Sequence, residues 1–193
     1  MNDRIAAYLR ETAATAERAI EVCADDIAAA ADAIARSLSE GGKVLFCGNG
    51  GSAGDAQHLA TEFVSTLTLD RRRPAIPAVA LTTDTSLLTA VANDFGFEEI
   101  FARQVEALGR DGDVLVGIST SGNSHNVVRA FEQAAAQGLE RVALTGRTGG
   151  ALAPAADVAI RVPSDETSHI QELHIAIGQL IAFLVEDELH PRA

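Results

Sequence analysis

A chain of 193 residues, 47% of them apolar, is long enough for one domain with a sizeable core. Its formal charge of −12 excludes a binder of nucleic-acid backbones, which needs clustered Lys and Arg, and no apolar run reads as long enough to cross a bilayer. Met1-Asn2-Asp3-Arg4 leads straight into an amphipathic segment without a leader pattern, so a cytoplasmic protein making no membrane contact is expected.

Residues 3 to 40 are Ala-rich with apolar positions at helical spacing, such as Ile5, Tyr8 and Leu9, then Ile27, Ala30, Ile34 and Leu38. Cys23-Ala24-Asp25-Asp26 predicts a break between two helices, with Asp25 or Asp26 as N-cap, and Gly41-Gly42 ends the second. Two helices ahead of the first strand cannot bury both of their faces on one sheet. This arm, residues 1–42, is therefore expected to serve self-association.

Residues 43–193 read as the α/β core of the same domain. Strand one is expected at Lys43–Cys47, then the loop Gly48-Asn49-Gly50-Gly51-Ser52 and a helix to about Leu67. Arg71-Arg72-Arg73 before Pro74 reads as a solvated loop. Strand two follows at Ile76–Leu81, then a helix from Asp84 to about Ala92, a turn at Asn93-Asp94-Phe95-Gly96 and a helix to Leu108. Asp113–Ile118 is an apolar, β-branched strand three. Asn123–Gln137 reads as a helix and Leu139–Thr145 as strand four. Val158–Val162 is strand five, and residues 166 to 189 form a long last helix. Both cysteines, Cys23 and Cys47, read as small buried apolar residues without metal spacing.

This rhythm predicts a parallel sheet with helices on both faces, and such sheets bind ligands beyond the carboxyl ends of their strands. The loops Gly48–Ser52 and Ser119-Thr120-Ser121-Gly122-Asn123-Ser124 both lie at such ends. In the second, hydroxyls and unpaired helix amides converge on one point that suits an anion, though an ordinary βα turn with serine caps has the same composition. The first loop fits a dinucleotide fingerprint only loosely, because the third glycine is missing, and there is no Gly-Lys-Ser/Thr for a nucleoside triphosphate. Many hydroxyls and no dedicated cation suit a phosphomonoester on a polyhydroxylated carbon chain. His58 and Glu62 share one helix face at i, i+4, which suits a metal, a general base near the ligand, or a plain helical pair. His174, in an otherwise apolar stretch, reads as a hydrogen-bonded core histidine.

Cys47-Gly48-Asn49-Gly50-Gly51-Ser52, Gln57-His58 with Glu62, Ala92-Asn93-Asp94-Phe95-Gly96, Ser119–Ser124 and Ile170-Gln171-Glu172-Leu173-His174 together resemble the sugar isomerase (SIS) family over essentially the whole chain. The resemblance implies a flavodoxin-like three-layer α/β sandwich with a five-stranded parallel sheet and an N-terminal helical arm. It also implies a homotetramer with sites between subunits. The implied activity is a ketose–aldose isomerase acting on a phosphorylated seven-carbon sugar, sedoheptulose 7-phosphate, for lipopolysaccharide-type heptose biosynthesis. By the same resemblance Ser119, Thr120, Ser121 and Ser124 hold the phosphate, and Asn49, Gly50, Gly51, Ser52, Asn93 and Asp94 line the sugar. His58, Glu62 and Gln171 would bind Zn2+, with Glu62 shuttling a proton between C1 and C2.

One position departs from the family pattern. Eight residues beyond Gln171 the family has a histidine, both zinc ligand and second acid/base group, and here stands Gln179. Gln179 can still offer an amide oxygen to a metal, and at about 80° around the helix from Gln171 it can face the same pocket. It cannot exchange protons near neutral pH. Three readings follow: an inactivated isomerase, one using another group such as His169 or His174, or a non-catalytic sugar-phosphate-binding module acting through protein partners of the replication-initiator type. His174 projects about 60° to the other side of Gln171 and is a poor direct substitute.

Overall fold

The computed structural model describes residues 1–68 and 72–191. It opens with α1, Asn2–Ser39, one unbroken helix of 38 residues rather than the two expected. No Gly or Pro interrupts this Ala-rich segment, and helix propensity outweighs the capping tendency of Asp25 and Asp26. Cys23, at the expected break, is instead a packing residue, fully buried with its thiol directed at the Arg161 carbonyl 3.4 Å away. The first fourteen residues are mostly exposed, including Ile5, Tyr8 and Leu9, whereas the second half of α1 is buried against the rest of the fold. Gly41 turns the chain out of the helix with φ +88, and the Gly42 N–H closes it on the Ser37 carbonyl.

The strands are β1 (Val44–Gly48), β2 (Ala78–Ala80), β3 (Val114–Ser119), β4 (Glu140–Gly146) and β5 (Val158–Val162). They form one parallel sheet in the order β2-β1-β3-β4-β5, the flavodoxin-like winding. Between them run α2 (Gly51–Val64), α3 (Thr85–Asp94), α4 (Ala102–Leu108) and α5 (His125–Ala136), and α6 (Thr167–Leu189) closes the chain. Alternate strand residues serve opposite faces. Val44, Phe46, Val116, Ile118 and Leu144 pack under α1, α2 and α6, while Leu45, Cys47, Leu115 and Ala143 pack under α4 and α5. Both faces are covered, which is why the central strands are apolar throughout.

Two segments add detail that the sequence pattern does not carry. α6 is long and apolar enough, by length and composition alone, to cross a membrane. Half of that stretch is buried in the fold, with Ile170, Leu173, Ile177, Ile181 and Val185 turned to the core, so it is a core helix here. The arginine run is not a uniformly solvated loop either. Arg71 lies outside the described residues and Arg72 is exposed, but the Arg73 side chain is only 3% exposed and bonds Glu186 on α6 at 2.6 Å.

Candidate functional site

The sheet order reverses between β1 and β3, and the pairing of Gly48 with Ile118 sets their two loops side by side at the carboxyl edge. In the loop after β3, Ser119 is buried and its Oγ lies 2.9 Å from Ser124 Oγ. Ser124 is the residue on which α5 starts, and its hydroxyl makes no capping bond within the helix. The loop is held rigid. Asn123 N–H donates to Ser121 Oγ at 3.1 Å, Ala151 N–H donates to Asn123 Oδ1 at 3.0 Å, and Leu152 N–H donates to the Gly122 carbonyl at 2.9 Å. Gly122 has φ +66, and a β-carbon there would fall 2.1 Å from the Gly149 carbonyl oxygen, so the β4–β5 connection rests directly on this loop. Ser121 remains exposed and Thr120 partly so. Hydroxyls and the first amides of α5 thus gather at one helix N-terminus, a composition that suits an anion.

Asn49, in the loop after β1, crosses to α5. Its Nδ2 donates to Asn126 Oδ1 and its Oδ1 accepts from Asn126 Nδ2, both at 2.8 Å, with Asn126 2% exposed. Asn126 was not anticipated, because nothing in the sequence distinguishes it from an ordinary first-turn residue. Gly50, at φ +56, leads into α2, and Ser52 is buried in its first turn. A β-carbon on Gly51 would lie 1.9 Å from Gln171 Nε2. Gln171 therefore reaches from α6 to the start of α2, and a side chain at position 51 would have to displace its amide.

Two turns along α2, His58 Nε2 lies 2.9 Å from Glu62 Oε1 and 3.1 Å from Gln179 Nε2. Glu62 is 14% exposed and His58 49%, so a largely covered carboxylate sits beside an imidazole open to solvent. One imidazole nitrogen cannot donate to Glu62 and accept from Gln179 at once. Turning the Gln179 amide over aims its oxygen, the imidazole lone pair and the carboxylate at one point. That arrangement suits a cation, and one imidazole, one carboxylate and an amide oxygen make a donor set that fits a divalent metal. Among the described residues no three His, Cys, Asp or Glu side chains form such a group, so any metal here depends on the glutamines. One turn before His58, Asp55 has a buried, unpartnered carboxylate oxygen; burial raises its pKa, opposed by His58.

The remaining candidates make no side-chain hydrogen bond to these groups among the described residues. Asn93 and Asp94 are exposed at the end of α3 and bond each other at 2.7 Å, with no side-chain hydrogen bond to either loop among the described residues. His174 is the core histidine expected: fully buried, with Nε2 3.1 Å from the Thr145 carbonyl oxygen, Nδ1 unpartnered, and its pKa pushed down to about 4 by burial. His169 is 5% exposed and engaged with Thr12 at 3.1 Å, Glu172 at 3.2 Å and the Tyr8 ring. Neither joins the His58–Glu62–Gln179 group. Cys47 is buried beneath the first loop, its thiol pushed up to about 12, and is inert as expected.

A family model described as the SIS domain matches residues 7–146. The phosphoheptose isomerase of Rhodospirillum rubrum is 54% identical over 189 residues, covering 98% of this chain and 99% of its own. Among solved structures, the phosphoheptose isomerase from Neisseria gonorrhoeae superposes with a TM-score of 0.90 at 43% identity, covering 96% of this chain and 98% of that one. The phosphoheptose isomerase from Francisella tularensis gives 0.91 at 39% identity, covering 96% and 97%.

Proposed function

The chain belongs to the SIS domain family, among the phosphoheptose isomerases, and we propose that it interconverts sedoheptulose 7-phosphate and D-glycero-D-manno-heptose 7-phosphate with Glu62 as the base. The observation that carries the role of Glu62 is its place: a carboxylate 14% exposed, on the helix leaving one ligand loop, within a hydrogen bond of His58, which in turn meets Gln179. Relatives at about this identity are named as isomerases, which does not favour a non-catalytic module acting through protein partners.

Ser119, Thr120, Ser121 and Ser124 take the phosphate, with the dipole of α5 behind them. Asn49, held by Asn126, lines the sugar with Gly50, Gly51 and Ser52. Glu62 removes a proton from C1 of the ketose, the C1–C2 bond becomes an enediol, and the same carboxylate delivers the proton to C2. A second proton must pass from O1 to O2. Gln179 is no acid or base near neutral pH, and the exposed flank of His58 gives water access for that transfer. His58, Glu62, Gln171 and Gln179 would hold zinc, which when bound supplies Lewis-acid stabilisation of negative charge on substrate oxygens.

Asn93 and Asp94 point to sites completed between subunits of a homotetramer, supported by the apolar residues left exposed on α1 (Ile5, Leu9) and α6 (Leu180, Leu184). The setting is the cytoplasm, in lipopolysaccharide-type heptose synthesis. Zinc-loaded protein incubated with sedoheptulose 7-phosphate in deuterated water should form the aldose and place deuterium at C1 and C2. Binding of the ketose without any exchange would refute the assignment of Glu62.

A further inference from the structure

We infer that Arg73 is a positioning residue of this site, tying the end of the helix that carries His58 and Glu62 to the helix that carries Gln171 and Gln179. The last carbonyls of α2 have no partner within the helix. Arg73 Nη2 donates to the Glu62 carbonyl at 2.7 Å and Nη1 to the Phe63 carbonyl at 2.8 Å. Nη1 also reaches the Pro74 carbonyl at 3.1 Å, while Nε pairs with Glu186 Oε2 at 2.6 Å. The Arg73 and Glu186 side chains are 3% and 2% exposed. Glu186 lies two helical turns beyond Gln179 on nearly the same face of α6. One planar guanidinium therefore fixes both the backbone of Glu62 and the α6 face that presents Gln179.

Stability alone does not account for the arrangement. A buried ion pair adds little over an apolar pair of the same shape, whereas a rigid fork with several donors fixes orientation. Orientation matters here because a misplacement of about 1 Å at a reacting group costs up to about 100-fold in rate. The inference rests on Glu62 as the base of the proposed isomerisation.

The test is R73M/E186L, which replaces the ion pair with an apolar pair and removes the guanidinium bonds to the Glu62 and Phe63 carbonyls, the latter keeping only its bond from the Ile76 N–H. In folded protein kcat is expected to fall by roughly 10- to 100-fold, with KM for sedoheptulose 7-phosphate within about threefold of the parent. Hydrogen exchange in the peptide spanning residues 55–64 should quicken by about tenfold while the rest of the sheet is unchanged. Unchanged kcat and exchange, or a change in KM alone, would overturn the inference. Should the double variant not fold, R73K decides on the same readouts, since its ammonium keeps the charge facing Glu186 but lacks the fork for two carbonyls. A parent chain that neither turns over nor exchanges substrate protons would refute the proposed function, and the exchange of residues 55–64 would then decide the role of Arg73 alone.

Discussion

Substituting Glu62→Gln removes the proposed base while preserving nearly everything else the structure assigns to that side chain. The amide has the shape of the carboxylate and can still bond His58 Nε2, which lies 2.9 Å from Glu62 Oε1. Because His58 is half exposed, the pair contributes no more than about 1 kcal/mol to folding, and the variant should unfold at nearly the parent temperature. Arg73 grips the backbone carbonyl of residue 62, not its side chain, so the helix end stays where it is. What disappears is the ability to take a proton from carbon. A positioned general base contributes typically about 10²–10⁴-fold, or roughly 3–5 kcal/mol of transition-state stabilisation, and kcat should fall by that factor with little change in KM. Deuterium incorporation at C1 and C2 of sedoheptulose 7-phosphate, followed by NMR beside product formation, measures the step directly. Retention of exchange within tenfold of the parent, in folded and zinc-loaded protein, would place the base elsewhere, Asp55 being the nearest carboxylate along the same helix.

Gln179→His places a titratable imidazole about 3 Å from His58, and turnover near neutral pH should rise by roughly 10²-fold while zinc binds more tightly in chelator competition. Equal turnover by both forms would show that water moves the second proton as well as histidine does. Ser124→Ala removes the hydroxyl facing Ser119 and should raise KM by about 10-fold or more at nearly unchanged kcat, as expected for the loss of one hydrogen bond to a charged group. His174 is held neutral in the fold, its pKa pushed down to about 4 from 6.5, while the unfolded chain binds its proton below 6.5. Its contribution to stability is complete above pH 6.5 and is lost as pH falls from there to about 4, by at most about 3 kcal/mol. Urea midpoints across that range should fall less steeply for His174→Gln than for the parent, and parallel slopes would sink the assignment.

The alternation of apolar strands and helices is legible in the sequence because a sheet buried on both faces demands continuous runs such as Val114–Ile118. The same reasoning located both loops, since glycine and hydroxyl residues interrupt the pattern at the carboxyl ends of β1 and β3. The misread break in α1 came from weighing Asp25 and Asp26 as caps, when a cap acts only where the chain already leaves the helix. Cys23 is buried, as its apolar reading expects, but inside one unbroken helix with its thiol at the Arg161 carbonyl rather than at a helix break. α6 shows the opposite limit: its hydropathy measures composition, and only the fold shows that the apolar stripe faces a sheet.

Pairings across long sequence separations were the least legible part. Asn49 and Asn126 are 77 residues apart, and each alone reads as a turn or first-turn residue; their reciprocal bonds exist only because the sheet order reverses between the strands that carry them. Arg73 and Glu186 are 113 apart, and a triplet of arginines beside a proline has every local mark of a solvated loop. The first pair ties the loop after β1 to α5, and the second ties α2 to α6. The loops after β1 and β3 are set by the sheet, but the side chains on α2 and α6 must meet across a helix–helix contact that backbone hydrogen bonds do not specify. His58 meets Gln179 at 3.1 Å through that contact, while Glu62 lies 2.9 Å from His58 on the same helix. A site assembled from two helices in this way gains from buried polar ties beyond the reacting groups, because directional hydrogen bonds fix side-chain and helix-end orientation where a shift of about 1 Å matters to proton transfer.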